Sequence, residues 1–334
     1  MSANTPQSVA VIGAGSWGTA LALLLAANGH DVRLWSHNPK QVKRLVADRC
    51  NKAFLPNSPF PDNLNVTDSL RDAVDQVALV LIVVPSQTFR QMLQSLGKVV
   101  AEATPIAWGT KGLEQETGLL LHQVAGQELP NYPLAVISGP TFATEVAAGL
   151  PGAVTVAAED LRLAEDIAAL LRNHRFRVYA TTDMVGVELG GALKNVLAVA
   201  TGVADGLGYG ANTRAALITR GLAEILRLGM AMGGQLETFM GLAGVGDLVL
   251  TCTDDQSRNR RFGLALGRGK TVAEALAEVG QTVEGMTTAK IAYKLALDKG
   301  IDMPIATQVY QLIYENISTN QAVDALLERK PRIG

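Results

Sequence analysis

The sequence predicts an α/β protein: an N-terminal doubly wound Rossmann-type parallel sheet followed by an all-helical C-terminal domain. Three observations predict it. Short apolar runs alternate with amphipathic segments as far as Asp183, and a G-x-G-x-x-G glycine pattern closes the first run. Beyond Asp183 helical periodicity takes over, with no convincing strand. The expected division is residues 1–187 as a dinucleotide-binding domain and 188–334 as a helical domain that binds substrate and carries the chemistry.

Taken in order, SVAVIG (Ser8–Gly13) reads as a strand, WGTALALLLAANG as a helix stopped at Gly29, and DVRLW (Asp31–Trp35) as the next strand. Asn38 followed by Pro39 is a helix start, a side-chain cap and then proline at the first helical position. The stretch CNKAFLPNSPFPDN, with its prolines, reads as irregular. Further strands are expected at Val77–Pro85, Pro105–Gly109, Pro133–Pro140, Ala153–Ala158 and Phe176–Ala180, several apolar almost throughout. Such runs suit a parallel sheet covered by helices on both faces. In the second half, GGALKNVLAVATGVADG starts as an apolar helix and NTRAALITRGLAEILRLGMAMGG reads as one helix ended by Gly233 and Gly234. Thr271–Glu274 is a capping box, and further helices end at Gly300 and start at Pro304.

Bulk properties narrow the function. The 334 residues are 48% hydrophobic and 18% charged, as in a well-buried globular protein. A formal net charge of -2 offers no general attraction to nucleic acid or anionic membrane, so a bound anion must be held by local groups. The two cysteines, Cys50 and Cys252, lie far apart without a metal-ligand pattern, which predicts a reducing compartment and no metal. MSANTPQS lacks a secretory pattern, and ALALLLAA falls far short of the roughly 20 residues that cross a bilayer. The expectation is a cytoplasmic protein with no nucleic-acid partner and no stable membrane insertion. Apolar helices in the second half suggest a homodimer.

The triplet Gly13, Gly15, Gly18 stands at a strand end and opens a helix, the context that a dinucleotide site requires. Gly13 permits the turn, Gly15 lets backbone approach a pyrophosphate, and Gly18 lets helix and strand pack closely. The helix start then offers N–H groups and a positive dipole end. After the second strand comes Ser36-His37-Asn38, with no acid for the ribose 2′-hydroxyl of NAD, so the cofactor is NADP(H) or NAD(H), with a lean to NADP. Asn38 has an alternative role as helix cap.

Glycine-rich corners recur at strand ends. WGTKG places Lys111 beyond one strand, and ISGPTFATE places Gly139, Thr141 and Ala143 beyond another. Asp247 follows Gly244 and Gly246 in an apolar neighbourhood and should be buried with a partner. Ser257 fits an N-cap, with Arg258 and Asn259 in the first turn. An arginine there opposes the helix dipole unless an anion, here a phosphate substrate, lies at the helix start; the alternative is a basic solvent face continued by Arg260 and Arg261. None of the four histidines (His30, His37, His122, His174) suggests hydride chemistry, although His37 should lie near adenosine. A carbonyl reduction needs a proton donor, and Lys194 is the candidate, with Asn195 able to orient a substrate oxygen. Burial and a second cation such as Lys111 would lower its pKa, and Asp247 would oppose that. A snorkelling lysine is the alternative.

With these residues in view, the chain resembles the bacterial NAD(P)-dependent glycerol-3-phosphate dehydrogenase family along essentially its whole length. The motifs that carry the resemblance are GAGSWGTALA, WGTKGLE, AVISGPTFA, GALKNVLAVATGVADGLGYGANT, AGVGDLVLTCT, SRNRRFG and VEG. It implies interconversion of sn-glycerol 3-phosphate and dihydroxyacetone phosphate, which serves phospholipid synthesis, with Lys194 as the proton acceptor in oxidation. It further implies substrate contacts at Lys111, Gly139, Thr141, Asp247, Ser257, Arg258 and Asn259. Cofactor contacts are implied at Ser16, Trp17, His37, Lys111, Ala143, Arg258 and Glu284. Two alternatives stand beside it: a lysine-dependent hydroxy-acid dehydrogenase, which would need a carboxylate-binding arginine in place of SRNRR, and a non-catalytic NADP(H) sensor, which has no use for a buried lysine.

Overall fold

A computed structural model describes residues 5–328. Its strands are β1 (Ser8–Ile12), β2 (Asp31–Trp35), β3 (Leu64–Thr67), β4 (Leu79–Ile82), β5 (Ile106–Trp108), β6 (Leu134–Ser138), β7 (Gly152–Ala158) and β8 (Phe176–Thr181). Between them lie α1 (Ser16–Ala27), α2 (Pro39–Asp48), α3 (Leu70–Val74), α4 (Phe89–Leu96), α5 (Leu121–Glu128), α6 (Ala143–Ala147) and α7 (Leu161–Leu171). Then follow α8 (Met184–Gly206), α9 (Ala211–Ala231), α10 (Leu236–Phe239), α11 (Asp247–Thr253) and α12 (Arg258–Gly267). The last four are α13 (Val272–Val279), α14 (Glu284–Lys299), α15 (Pro304–Tyr314) and α16 (Thr319–Leu327). Two compact units result: one runs to Glu114 and resumes over Leu119–Glu188, and the other takes Gln115–Gly118 and continues from Leu189.

The first unit holds one sheet in the order β3-β2-β1-β4-β5-β6-β7-β8. Val9–Ile12 and Leu79–Ile82 are fully buried, as both faces of the central strands are covered. The chain leaves β1 outward to β2 and β3, then returns to the other side at β4. The strand order therefore reverses between β1 and β4, the position at whose C-terminal strand ends open α/β sheets bind ligands.

Two features depart from expectation. β3 lies at the sheet edge, built from Leu64–Thr67 just after the proline-rich loop, where the sequence shows no strand pattern of its own. The sheet is also not parallel throughout: β7 pairs with β6 antiparallel, while β8 is parallel to β7. Only the short α6 separates β6 from β7, so the chain turns back near the end where β6 finishes. A parallel neighbour needs a longer crossover, such as α7 supplies between β7 and β8. Apolar runs read alike in either direction, which hides this from sequence.

Among the described residues, the regular elements of the second unit are all helices. Asp183 Oδ1 accepts from Gly186 N at 2.8 Å and caps the start of α8. Further along, α8 and α12 meet backbone to backbone. A methyl at Gly202 would lie 2.3 Å from Arg260 O, and one at Gly263 would lie 2.1 Å from Val199 O. Gly206 and Gly267 repeat the contact four residues on, one helical turn later. Two stretches, Met184–Gly206 and Leu236–Thr253, are long and apolar enough to cross a bilayer; 89% of the first's most apolar window is buried inside the protein, and 39% of the second's.

Candidate active site

In the α/β unit the glycine loop is shaped by close approach. Gly13 has φ +120°, and a methyl there would lie 2.4 Å from Val83 O, at the end of β4. A methyl on Gly18 would lie 1.9 Å from Gly13 O, so α1 can start only where it does. Gly15 differs: nothing lies within 4 Å of its missing Cβ, and as N-cap of α1 it gives no side-chain bond. The first-turn N–H groups of α1, at Ser16 and Trp17, therefore lack a capping side chain, and open space lies over the loop. A nicotinamide dinucleotide's pyrophosphate fits that cradle. The Trp17 Nε1–H is buried without a partner, and a methyl on Gly109 would lie 2.8 Å from it.

Polar side chains brace the loop from behind. Ala14 O accepts from Gln41 Nε2 at 2.9 Å and from Asn51 Nδ2 at 3.1 Å, while Asn51 Nδ2 also donates to Thr19 Oγ1 at 2.8 Å. Ser36 is buried and donates to Gln41 Oε1 at 2.7 Å, and Asn38 Oδ1 caps α2 by accepting from Lys40 N and Gln41 N. Within Ser36-His37-Asn38, Ser36 and Asn38 are thus engaged in holding the loop and the helix. Only His37 is exposed without such a role, its ring tilted beside Trp35.

Beyond β5 and β6, Lys111 Nζ donates to Gly139 O at 3.1 Å, and Thr141 Oγ1 reaches the same carbonyl at 3.4 Å. Gly139 cannot carry a side chain, since a methyl would lie 2.8 Å from Val154 Cα. Ala143 opens α6 and packs against the core of this unit. Lys111, Gly139 and Thr141 therefore form one corner.

In the helical unit Lys194 is 7% exposed, in the middle of α8, and Asp247 is 0% exposed at the start of α11. The ammonium donates to Asp247 Oδ1 and, at 2.9 Å, to Thr251 Oγ1. Thr251 in turn donates to Asp247 O at 2.7 Å, one turn back on its own helix. Asp247 has the partner its burial required, and Lys194 does not snorkel. Gly190 makes room for this arrangement, because a methyl there would lie 2.3 Å from Ala243 O, in the π turn that leads into α11.

Ser257 caps α12 by accepting from Arg260 N at 3.2 Å, which leaves the N–H groups of Arg258 and Asn259 at the helix start. The three arginines of the turn are not one solvent face. Arg260 is 7% exposed; its guanidinium bonds Asp205 and, at 2.8 Å, Asp255, and these bonds outweigh burial to raise its pKa. Arg258 is exposed. The surrounding protein pushes its pKa down, Glu284 opposes that and Arg261 adds to it; so far below an arginine's ordinary range is neutral pH that it stays cationic. Asn195 Oδ1 accepts from Asn259 Nδ2 at 2.9 Å.

Sequence reasoning missed several residues. Thr251 had a signal, four residues after Asp247 and hence on the same helical face. Gln41 and Asn51 had none, because their targets are a backbone carbonyl far away in sequence. His122 also escaped: its Nδ1 lies 2.7 Å from Glu188 Oε2, while Glu188 Oε1 accepts from His122 N at 2.9 Å and Trp108 Nε1 at 3.1 Å. Burial lowers the His122 pKa, but Glu188, with a smaller part from Glu159, carries it above 6.5. Among the described residues no group of three or more histidines, cysteines, aspartates or glutamates is placed to hold a metal.

Both parts of the chain match models of one known family. Residues 8–164 match the family model for the NAD-dependent glycerol-3-phosphate dehydrogenase N-terminus, and residues 183–324 match the model for its C-terminus. A glycerol-3-phosphate dehydrogenase [NAD(P)+] of Thioalkalivibrio sulfidiphilus is 55% identical over 322 residues, 96% of this chain and 97% of that one. One from Aeromonas hydrophila is 54% identical over 324 residues, with 96% and 97% covered. The crystal structure of the Coxiella burnetii glycerol-3-phosphate dehydrogenase superposes with a TM-score of 0.94 at 50% identity, covering 97% of this chain and 99% of the other.

Proposed function

This chain belongs to the NAD-dependent glycerol-3-phosphate dehydrogenase family and is an NAD(P)-dependent enzyme of that activity; from that premise we propose that it works as a reductase with Lys194 as its proton donor. The reaction converts dihydroxyacetone phosphate to sn-glycerol 3-phosphate, and the product supplies phospholipid synthesis. A bound dinucleotide would supply hydride to the ketone carbon. The protein's part is to hold that cofactor, grip the phosphate and hand over a proton.

One observation carries the reading: a lysine in the middle of an apolar helix, 7% exposed, whose ammonium is tied to a carboxylate and a hydroxyl. Lys194 Nζ gives a proton to the substrate oxygen as the carbon gains hydride, and the amine recovers its proton from water. Asp247 and Thr251 hold the ammonium in place and fix its direction. In oxidation the same amine accepts the proton. The phosphate is read at the start of α12, held by the N–H groups of Arg258 and Asn259 beside Ser257 and by the Arg258 guanidinium. Binding energy from that remote group orients the reacting carbon. Lys111, Gly139 and Thr141 are proposed as further substrate residues.

On the cofactor side the reading takes Gly13, Gly15, Ser16, Trp17 and Gly18 for the phosphates, His37 for the adenosine end, and Lys111, Ala143, Arg258 and Glu284 as further contacts. No carboxylate stands at Ser36–Asn38, which supports use of both NADPH and NADH with NADPH preferred. A homodimer also belongs to the reading, supported by exposed Met230, Leu236, Met240 and Val249; sedimentation at micromolar protein tests it.

The deciding assay follows NADPH and NADH oxidation against a panel of ketones. Turnover is expected with dihydroxyacetone phosphate, and its absence removes the reading. Lys194→Ala should lower kcat by about 10²–10⁴-fold and leave cofactor affinity nearly intact. Retention of more than about a hundredth of the original rate refutes the acid role.

A further inference from the structure

The carboxamide of Asn259 is engaged at both ends. Its Nδ2 donates to Asn195 Oδ1 at 2.9 Å, and its Oδ1 accepts from Gly285 N at 2.9 Å. The main-chain N–H of Gly285 can only donate, so it fixes which end of Asn259 is oxygen and, through Asn259, which end of Asn195 is oxygen. The three groups form a single directed chain.

That chain supplies something α14 lacks. The N-cap position of α14 is Val283, which has no side chain to cap with. Gly285 is the second residue of α14 and is buried, so its N–H has no acceptor within its own helix. Asn259 caps α14 from α12 instead. The approach needs glycine: a methyl on Gly285 would lie 2.8 Å from Asn195 O and 2.9 Å from Asn259 Oδ1. Glu284, the residue before it, is close enough for its charge to act on Arg258.

Resting on the reading of Lys194, Arg258 and Glu284 above, we propose that Asn195 and the Asn259 side chain are positioning residues, a relay from α8 through α12 to Gly285 that holds these three groups in register, rather than ligands of a substrate oxygen. Asn195 follows Lys194 directly, and Asn259 follows Arg258. Each link is thus one residue from a group that the reaction uses. The main-chain N–H of Asn259 stays with the phosphate site, and only its side chain is reassigned.

A double-mutant cycle on the full-length enzyme tests this. Asn195→Ala and Asn259→Ala are each expected to lower kcat and raise KM for the dinucleotide, about tenfold in kcat/KM, and the double variant should lose little more than the worse single one. Losses that multiply would mean two separate ligand contacts and overturn the relay. Hydrogen exchange in the ligand-free enzyme reads the same links without turnover: Gly285 N–H should exchange at least about tenfold faster in Asn259→Ala. Unchanged protection there also overturns the proposal. Asn195→Asp keeps the acceptor and should hold Gly285 protection near the original level, which separates the relay from damage to the fold. Lys194→Ala should leave that protection unaltered, so failure of the acid role and failure of the relay give different results.

Discussion

A methyl placed on Gly15 meets nothing within 4 Å, whereas one placed on Gly263 lands 2.1 Å from Val199 O. The first glycine belongs to the α/β unit and keeps space open over a helix start. The second belongs to the helical unit and removes space, so that α8 and α12 touch along their backbones. Polar groups divide in a similar way. Around the glycine loop the N-cap of α1 gives no side-chain bond and the Trp17 Nε1–H is unpaired, while in the helical unit Lys194 bonds Asp247 and Thr251, and Asn259 bonds Asn195. A dinucleotide brings its own phosphates and hydrogen-bonding groups, and its seat must offer unmet donors. The proton donor proposed above, Lys194, would have to sit at one angle and depth, and polar networks among close-packed helices fix both.

The largest effect should come from closing the helical contact. Gly263→Val drives two methyls toward the backbone of α8 and should destabilise that unit by upwards of about 3 kcal/mol, read as a lower midpoint in thermal or urea melts. An unchanged midpoint would show that α8 and α12 have slack, and the contrast with Gly15 would fail.

Next comes Glu224 on α9, which accepts from Ile305 N at 2.8 Å and Ala306 N at 3.1 Å at the start of α15. Burial pushes its pKa up, the two N–H bonds and Arg227 pull it down, Asp302 adds to the rise, and the result is about 7 against an ordinary 4.5. The folded protein therefore binds this proton more tightly than the unfolded chain does. The group's contribution to stability is complete below about pH 4.5 and disappears as pH rises to about 7, roughly 3 kcal/mol across that window. Glu224→Gln should flatten that part of the pH–stability curve. If the slope between pH 4.5 and 7 stays as it was, Glu224 is already ionised there and its two N–H bonds outweigh its burial.

The smallest effect sharpens the comparison most. Gly15 has φ −80° and ψ −174°, a conformation open to alanine. Gly15→Ala should leave the unfolding free energy within about 0.5 kcal/mol of the original, yet weaken NADPH binding about tenfold in a fluorescence titration. Equal affinity would mean that the open space over the loop is not where the pyrophosphate lies.

Sequence and structure agree best where one segment suffices. β2 was expected at Asp31–Trp35 and is found there, Thr271 caps α13 with Glu274, and Asn38 caps α2 before Pro39. Lys194, Asp247 and Ser257 stood out because each breaks a local pattern: a cation in an apolar helix, a carboxylate among glycines, a cap before arginines. β3, LNVT, lacks the apolar run that marked the neighbouring strands, and the reversal of β7 left no mark because a two-residue alternation has no direction.

Local preference and periodicity, which act over a few residues, were enough to determine the longer helices, most strands, the glycine turn and the chemically unusual side chains. The tertiary structure decided who meets whom: Thr251 under the Lys194 ammonium, Asn51 on Ala14 O, Arg260 inward and Arg258 outward, and Asn195 turned to Asn259. Those choices depend on segments far apart in the chain. A hydrogen bond's worth is set by burial and by the group at its other end, and neither exists until the helices and strands have packed.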